Sequence, residues 1–444
     1  MRETQLQILF AATTLAKEHV PHVADYGASR SQDLLSFTSP LCLDSNEYPR
    51  DSTYTSIQSE TAQASSLWPV STPCARNGTE EYCVYSNPNF AGRGISILTN
   101  PIRAVEIGKS SAFANPETLG PIDQLNAEES SKWKVEGVPG KGMGLIATRN
   151  LQMGDHIMST TASVMIDYEL FYDVSEADLL DMQVAAVGNL PDKHRGIFLN
   201  LSTHDDAADY ITQVEKIITT NSFDIQNTGI ITKKYESEEE NFYTVFPEIS
   251  RMNHDCRPNA DYYFDPNTFT QHIHAVRPIA AGEEITISYI DTVQTREDRL
   301  ARLDLLWHFP CSCSSCTQNE HMTNASDARI HQIQEIRKQL RDWEPQSQAT
   351  PAMAELLVSL YQQERLWTLL PEAYTYAAIE YNGAGEPWLA TKYARLAIQH
   401  GLAAGGPRDS DVNEMMKLAR DPWQHWSWML RTTKRMNWAP HVSE

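Results

Sequence analysis

The sequence predicts a mixed, mainly β domain that is followed by an α-helical domain. Between residues 131 and 166, short apolar runs are broken by glycines, which is typical of strands joined by tight turns. Residues 328–433 instead carry apolar side chains at helical spacing almost throughout. The composition changes after Cys316, and residues 320–326 have the polar character of a linker between the two domains.

Length and charge limit the classes of protein to which the chain can belong. Its 444 residues are enough for two or three domains, and 41% hydrophobic and 21% charged residues are typical of an ordinary soluble protein. The net charge of −22 argues against sequence-independent DNA binding, which needs a basic surface to replace the phosphate counterions. No sequence-specific nucleic-acid partner is expected. The acidity favours a basic protein partner or serves solubility alone, and both interpretations remain open. No run approaches the roughly 20 apolar residues of a membrane span, so no membrane partner is expected.

Residues 1–82 are predicted to form a loosely ordered segment, since much of it is rich in Ser, Thr, Gln and Pro without sustained periodicity. Within this segment, residues 8–16 are either a short signal-peptide core or an amphipathic helix, and the nearby polar residues favour the helix. Residues 83–130 are predicted to be a leader that packs near the β domain. A glycine turn there precedes a strand at 95–98, which either stands apart or pairs with the main sheet.

The β domain is predicted to span residues 131–291, with a helical insertion at 167–220. An acidic run at 236–240 is predicted to be a solvated loop. A cysteine-bearing segment follows at 292–318, and the helical domain at 326–435. Small residues in two of its helical patterns suggest a tetratricopeptide-like hairpin, with a plain helical packing domain as the alternative.

Four of the seven cysteines have metal-ligand spacing: Cys256, Cys311, Cys313 and Cys316. Zinc in structural sites takes four tetrahedral ligands, and thiolates suit it well. The three closely spaced cysteines cannot complete such a site alone, so Cys256 is predicted to be the fourth ligand. The alternative is a set of free buried thiols.

The remaining cysteines and the sequons bear on the compartment. Cys74 and Cys83 could pair in an oxidising compartment, which would leave Cys42 without a partner. Sequons at Asn77 and Asn200, and a third at Asn324, are compatible with secretion. The zinc interpretation favours a reducing interior, so the nucleus or the cytoplasm is expected, with secretion left open.

Three motifs follow one another within residues 253–316: NHDCRPN at 253–259, GEEITISY at 282–289 and CSCSSC at 311–316. This order resembles the SET-domain protein lysine methyltransferases, and in particular a fungal-type relative of the SET-and-MYND subgroup. The resemblance implies a mainly β SET fold of small sheets with a pseudoknot, a helical insertion, a zinc-bearing post-SET segment and an α-helical C-terminal domain. The MYND zinc finger is expected to be missing, because no cysteine lies between Cys83 and Cys256.

The resemblance also implies a pocket for S-adenosylmethionine. A glycine-rich turn would lie against it, since glycine lets the main chain approach a ligand closely. The subgroup often has an Asn at the position of Met143, so one side-chain contact is expected to be lost. Asn253 would bind through its amide and His254 through its backbone, while aromatic residues would pack on the adenine or line a lysine channel. The implied cofactor-binding residues are Lys141, Gly142, Met143, Gly144, Asn221, Asn253, His254, Trp307 and Phe309.

Tyr289 is the implied catalytic residue. A lysine ammonium has a pKa of about 10.4, so the enzyme must favour the neutral amine, which an apolar channel does by desolvation. Tyr289 would orient that amine toward the methyl donor. The predicted function is methylation of a lysine in a histone or another lysine-rich protein. The alternative is a catalytically weak SET-fold interaction module, which Met143 slightly favours and which Tyr289, Asn253 and His254 together disfavour. The sequence leaves the oligomeric state unknown.

Overall fold

The computed structural model describes residues 63–438 except 65, 79, 116–118, 121–125, 128, 204–205 and 227–240. The predictions for residues 8–16, for Cys42 and for the acidic loop fall outside the described residues. Among the helices in the described part of the chain, none is long and apolar enough to cross a membrane.

The strands of the described residues belong to three sheets. In chain order they are β1 Val70–Asn77, β2 Glu80–Asn87, β3 Ile95–Thr99, β4 Trp133–Val138, β5 Gly142–Ala147, β6 His156–Thr161, β7 Val164–Asp167, β8 Ser222–Gln226, β9 Asn241–Val245, β10 Ala260–Asp265, β11 Thr270–Ala275 and β12 Glu284–Ile285. The six-stranded sheet has the order β1-β2-β3-β7-β9-β8, and the smaller sheets have the orders β10-β11-β6 and β12-β5-β4. Neighbouring strands are antiparallel, except that β3 runs parallel to β7.

The helices fall into an N-terminal group and a C-terminal group. In chain order they are α1 Pro101–Gly108, α2 Ser111–Ala114, α3 Leu170–Asp173, α4 Glu176–Gly188, α5 Asp192–Leu199, α6 Tyr210–Asn221, α7 Arg296–Trp307, α8 Glu320–Arg341, α9 Pro351–Gln363, α10 Leu370–Gly383, α11 Pro387–Ala404, α12 Ser410–Arg420 and α13 Leu430–Trp438. Apolar side chains of α4, α5 and α6 share one buried core with the six-stranded sheet.

Residues 70–82 were predicted to be loosely ordered, and this prediction was wrong, because they form β1 and the start of β2. Ala75 is the one buried residue of β1, so this edge strand has almost no apolar alternation for a sequence pattern to detect. Its order comes from pairing with β2, where Cys74 lies opposite Cys83 and is joined to it by a disulfide. The strand predicted at 95–98 pairs with the main sheet, since β3 lies inside the six-stranded sheet, between β2 and β7.

The segment that contains the NHDCRPN motif lies directly beside the segment that ends at Tyr289. The amide of Ile287 donates to the carbonyl of Asn253 at 3.1 Å, and the amide of Asp255 donates to the carbonyl of Ile287 at 3.0 Å. His254 and Ile287 form a parallel bridge. The side chain of Asn259 extends the pairing, since its amide donates to the carbonyl of Glu284 at 2.8 Å. Two segments about thirty residues apart are thus held side by side by main-chain hydrogen bonds.

Helices α8 to α12 pack around a second core. The linker predicted at 320–326 is instead the first part of α8, so that prediction was wrong. The Asn319 side chain accepts a hydrogen bond from the Met322 amide at 3.0 Å and caps the helix, which lets a polar stretch begin it. Ala377 of α10 and Ala394 of α11 are completely buried in this core, as the small residues in these helices predicted.

Candidate active site

Four buried thiols meet where the NHDCRPN segment approaches the CSCSSC segment. The sulfurs of Cys256, Cys311, Cys313 and Cys316 all lie within 4.8 Å of one another, and those of Cys256 and Cys316 are 3.6 Å apart. Sulfurs that bind one zinc ion at about 2.3 Å in a tetrahedron lie about 3.8 Å apart. The four residues therefore fit a tetrahedral zinc site.

A buried arginine accompanies the thiol cluster. Arg299 of α7 is 1% exposed, and its guanidinium lies near enough to Cys256 and Cys316 to interact with them electrostatically. Four thiolates around a divalent ion would leave two negative charges in excess, and a neighbouring guanidinium would offset one of them. Sequence reasoning missed Arg299, because only the tertiary structure brings α7 against Cys256.

The chain reaches the CSCSSC segment through a tight reversal after α7. His308 follows the helix with a φ of +52°, in the left-handed region, and its amide donates to the Asp304 carbonyl at 3.1 Å. This C-cap turns the chain back toward the body of the domain. A further hydrogen bond from the Cys316 amide to the Cys313 carbonyl at 3.0 Å closes the loop that brings the thiols together.

Tyr289 lies next to the thiol cluster, inside a group of aromatic rings. Its hydroxyl donates to the carbonyl of Met252 at 2.6 Å, and its backbone amide donates to Nδ1 of His254 at 3.0 Å. Its ring lies 5.3 Å from that of Trp307, measured between centroids. Burial first, and then the negative charge of Glu284, raise the pKa of the Tyr289 phenol. The phenol therefore stays protonated at neutral pH.

His254 is almost fully buried at 3% exposure, and its ring joins Tyr289 to the aromatic residues near the cysteines. The ring centroids of His254 and Phe309 are 6.2 Å apart. Burial is the main cause that lowers the pKa of His254 to about 3, so the ring is neutral at neutral pH. Its Nδ1 atom can therefore accept the hydrogen bond from the Tyr289 amide. Trp307 and Phe309 are both partly buried against the cysteine cluster.

The glycine-rich turn between β4 and β5 packs against Asn253. A Cβ atom at Gly144 would come within 2.7 Å of Val138 Cγ2 and 2.8 Å of Asn253 Nδ2, so this close approach requires glycine. Gly142 has a φ of +76° and open space where a side chain would be. The main chain at Gly142 is thus accessible to a ligand, while Gly144 fixes the turn against the NHDCRPN segment.

Glu284 connects the turn to Asn253. Its carboxylate accepts from the Asn253 amide at 2.8 Å and from Lys141 Nζ at 2.8 Å. The Asn253 amide also donates to the carbonyl of Met143 at 3.3 Å. Glu284 was part of a recognised motif but received no role, and its proximity to Lys141 could not be read from the sequence. The Met143 side chain is 49% exposed.

Asn221 lies at the end of α6, and its amide is engaged by the main chain. The amide donates to the carbonyls of Ser202 at 2.9 Å and Ile217 at 2.8 Å. The Asn221 carbonyl accepts from Ser250 Oγ at 3.2 Å, three residues before Asn253. The residue is therefore linked to the start of the NHDCRPN segment, and its part in cofactor binding stays a prediction.

Residues 142–290 match the family model of the SET domain. The chain therefore contains a SET domain, with mixed β sheets and a helical C-terminal region, and the motif-based resemblance is confirmed. It is 28% identical over 210 residues to the histone-lysine N-methyltransferase set5 of Schizosaccharomyces pombe, which is 47% of this chain and 58% of set5.

The relation to the SET-and-MYND subgroup is also supported. The N-lysine methyltransferase SMYD2 of Homo sapiens is 30% identical over 148 residues, which are 33% of this chain and 30% of that protein. The chain thus matches less than two thirds of the length of these relatives. A solved structure of the SET domain of LSMT bound to lysine and AdoHcy aligns over 72% of this chain and 91% of that one, at 12% identity and a TM-score of 0.24.

Proposed function

We propose that this protein is an S-adenosylmethionine-dependent protein lysine N-methyltransferase that acts on a histone or another lysine-rich protein. The observation that carries the proposal is the Tyr289 hydroxyl, which is held by the Met252 carbonyl within an aromatic group next to His254. The relatives named as lysine methyltransferases support the same reaction class.

Residues of the chain are arranged to hold the methyl donor. S-adenosylmethionine, when bound, supplies the methyl group and a positively charged sulfonium. The accessible main chain at Gly142 would contact the donor, and Asn253 would bind it through its amide oxygen, because its amide nitrogen already donates to Glu284. Lys141, Met143, Gly144, Asn221 and His254 would complete the donor site, with Trp307 and Phe309 against its adenine.

Tyr289 would orient the attacking amine rather than remove its proton. A phenol with a raised pKa stays protonated, and its proton is directed at the Met252 carbonyl. The lone pairs of the hydroxyl oxygen can then accept an N–H of the substrate lysine and align its nitrogen with the methyl carbon. Catalysis would come from alignment and preorganised electrostatics. The neutral amine would be favoured by desolvation among the aromatic rings.

The four cysteines would hold a zinc ion with a structural role. Bound to all four thiols, zinc would tie the CSCSSC segment to the NHDCRPN segment, which carries Asn253 and His254. No position would be left open for chemistry at the metal, as is usual for a four-cysteine site. The acidic chain would draw a basic protein substrate by long-range attraction, and such a substrate fits a nuclear or cytoplasmic location.

The test is Tyr289→Phe, which removes one hydroxyl and keeps the ring. We expect radiolabel transfer from S-adenosylmethionine to mixed core histones by the wild type, and a loss of about a hundredfold in the variant. Binding of S-adenosylmethionine, measured by calorimetry, should change little. Tyr85→Phe is the matched control, because the buried Tyr85 hydroxyl has no hydrogen-bond partner within the described structure.

Two results would contradict the proposal. If zinc-replete wild type bound no S-adenosylmethionine, both the donor site and the reaction would be excluded. If Tyr289→Phe transferred methyl groups at the wild-type rate, Tyr289 would have no part in the reaction. Binding of the donor without transfer to any lysine-rich protein would favour the alternative, a SET-fold interaction module, for which the exposed Met143 side chain is the supporting observation.

A further inference from the structure

Arg257, inside the NHDCRPN motif, lies buried between the two segments of the site. Its side chain is 1% exposed. One guanidinium nitrogen, Nη1, donates to the carbonyl of Cys256 at 2.8 Å and more weakly to that of Thr292 at 3.4 Å. Cys256 follows Asn253 by three residues, and Thr292 follows Tyr289 by three. The Arg257 side chain thus connects two main-chain carbonyls. One lies three residues after Asn253, the proposed donor-binding residue, and the other lies three residues after Tyr289, the proposed catalytic residue.

The other nitrogen of Arg257 contacts the C-terminal helical region. Nη2 donates to the carboxylate of Glu364 at 2.9 Å, and the Glu364 side chain is likewise buried, at 5% exposure. Glu364 is the C-cap of α9, and its carboxylate further accepts from Ser326 Oγ and Arg329 of α8, both at 2.7 Å. Burial works to raise the pKa of Glu364, but the hydrogen bonds from Arg257 and Ser326 outweigh it and lower that pKa. The carboxylate therefore stays charged and anchored from two helices.

The residue after Glu364 contacts the other half of the thiol cluster. Arg365 has a φ of +56°, in the left-handed region that residues other than glycine seldom adopt. Its Nη2 atom lies 3.2 Å from Ser314 Oγ and 3.4 Å from Ser315 Oγ, between Cys313 and Cys316. Two consecutive residues at the end of α9 therefore contact the NHDCRPN segment and the CSCSSC segment, which are separated by more than fifty residues in sequence.

We propose that Glu364 and Arg365 form a positioning corner, through which the helical region fixes the spacing between the segments that carry Asn253, Tyr289 and the cysteines. The inference rests on the proposed function, since it assigns these two residues a role in the geometry of that same site. Neither residue touches the reacting atoms; they act through Arg257 and the CSCSSC loop.

The chemistry of the contact favours positioning over plain stabilisation. A buried ion pair seldom stabilises a fold more than apolar side chains of the same volume, because both charges lose their hydration. What an apolar pair cannot do is hold main-chain carbonyls at a fixed hydrogen-bonding distance. Arg257 holds two of them only while Glu364 orients its guanidinium.

The test compares Glu364→Gln with Glu380→Gln in the full-length chain. Glu380 is a matched control, because it forms an equally buried ion pair with Arg431 at 2.6 Å, at 1% and 4% exposure, entirely within the helical region. We expect both variants to melt at lower temperature than the wild type. In Glu364→Gln alone, kcat for methyl transfer should fall by about tenfold to a hundredfold, as is usual when a distant change misplaces reacting groups.

A second measurement does not depend on activity. In native protein, the rate at which Cys256, Cys311, Cys313 and Cys316 react with an alkylating reagent, followed peptide by peptide by mass spectrometry, should rise in Glu364→Gln and stay at the wild-type value in Glu380→Gln. Equal alkylation rates in the two variants would overturn the positioning corner even if methyl transfer were detected. The proposed function would be overturned if the wild-type protein neither bound S-adenosylmethionine nor transferred methyl groups. The comparison of alkylation rates would still test whether the positioning corner fixes the spacing of the two segments.

A double variant covers the case in which Glu364→Gln does not fold. Arg257→Met with Glu364→Leu removes both buried charges together, a replacement that folded proteins commonly tolerate. Arg329 can then turn to solvent, since its side chain is already 32% exposed. We expect this double variant to fold, to transfer methyl groups more slowly than the wild type, and to have cysteine thiols that are alkylated faster. Wild-type values for both would show that the pair serves stability alone.

Discussion

The SET region and the C-terminal helical region differ in how far apart in sequence their contacting residues lie. In the helical region, each of α9, α10, α11 and α12 packs on the helix before it, so contacts join residues near in sequence. In the SET region, β3 pairs with β7 and Cys256 meets Cys316, across some sixty residues or more. Closing long loops costs conformational entropy, so such a site needs ties that a stack of neighbouring helices does not.

The two cysteine groups show the same difference on a smaller scale. Cys74 and Cys83 are neighbours across one hairpin and are joined directly, nine residues apart. Cys256 lies far in sequence from Cys311, Cys313 and Cys316, and its approach to them depends on main-chain pairing and on α7. A local pair closes a turn, whereas the distant set draws separate motifs into one place. The compartment that these two groups share stays a prediction.

Metal removal should produce the largest difference between the responses of the two regions. We expect a strong chelator to abolish methyl transfer and binding of S-adenosylmethionine, because the CSCSSC segment would lose its tie to the NHDCRPN segment. The helical signal in circular dichroism should largely persist, since α8 to α12 have a separate core. Zinc content by elemental analysis, transfer assays and circular dichroism on the same sample would measure this.

The control is readdition of zinc, which should restore transfer. Cys74→Ser with Cys83→Ser should leave zinc content unchanged, because that pair belongs to the hairpin. Full transfer by protein shown to be free of zinc would mean that the site does not need the metal.

Acid should weaken the contact surface between the two regions. His156 of β6 and two histidines of β11 lie together, and burial chiefly lowers the pKa of His156 to about 4 and that of His274 to about 3, with His272 also lowered. The ring of Tyr263 stacks on His272 and His274, and Gly406 of the helical region packs against that ring.

The lowered histidine pKa values set the direction of this effect. The unfolded chain takes up protons near the ordinary histidine pKa of 6.5, while the folded chain does so only at lower pH. The free energy of unfolding is therefore retained above pH 6.5 and decreases as the pH falls toward 4. The decrease should reach about 3 kcal/mol or more, because each tenfold difference in proton affinity between the two states contributes about 1.4 kcal/mol. Denaturant unfolding at pH 7.5, 6 and 5 measures it.

The variant His156→Gln with His274→Gln should flatten this dependence. His331→Gln is the control, because His331 is exposed on α8 and lies apart from the cluster. An equally steep decrease in all three proteins would place the acid sensitivity elsewhere.

The smallest expected effect concerns Met143 at the glycine-rich turn. Met143→Asn introduces a polar side chain at an exposed position that is followed directly by Gly144. We expect the affinity for S-adenosylmethionine to rise about fivefold, the value of one added hydrogen bond of about 1 kcal/mol. Calorimetry measures the affinity. The melting temperature should stay constant, since the side chain contributes little to either core. Unchanged affinity would mean that the side chain at 143 faces away from the donor.

Much of the architecture could be predicted because its signals are local. Glycine-broken apolar runs indicated β4, β5 and β6, and helical spacing indicated the C-terminal region. Errors arose where local signals were weak or misleading. β1 owes its order to its partner strand, and the polar start of α8 owes its helix to the Asn319 cap, which was present in the sequence but not recognised.

The order of its motifs determined that this chain has a SET domain, and four cysteine positions determined which thiols could share a metal, because both depend on residue type and spacing. Tertiary structure alone decided that Glu284 connects Lys141 with Asn253, that Arg299 lies against the thiols, and that Glu364 reaches Arg257 from the helical region. These contacts join residues far apart in sequence, and a charged residue in a sequence gives no sign of the partner that will make its burial favourable.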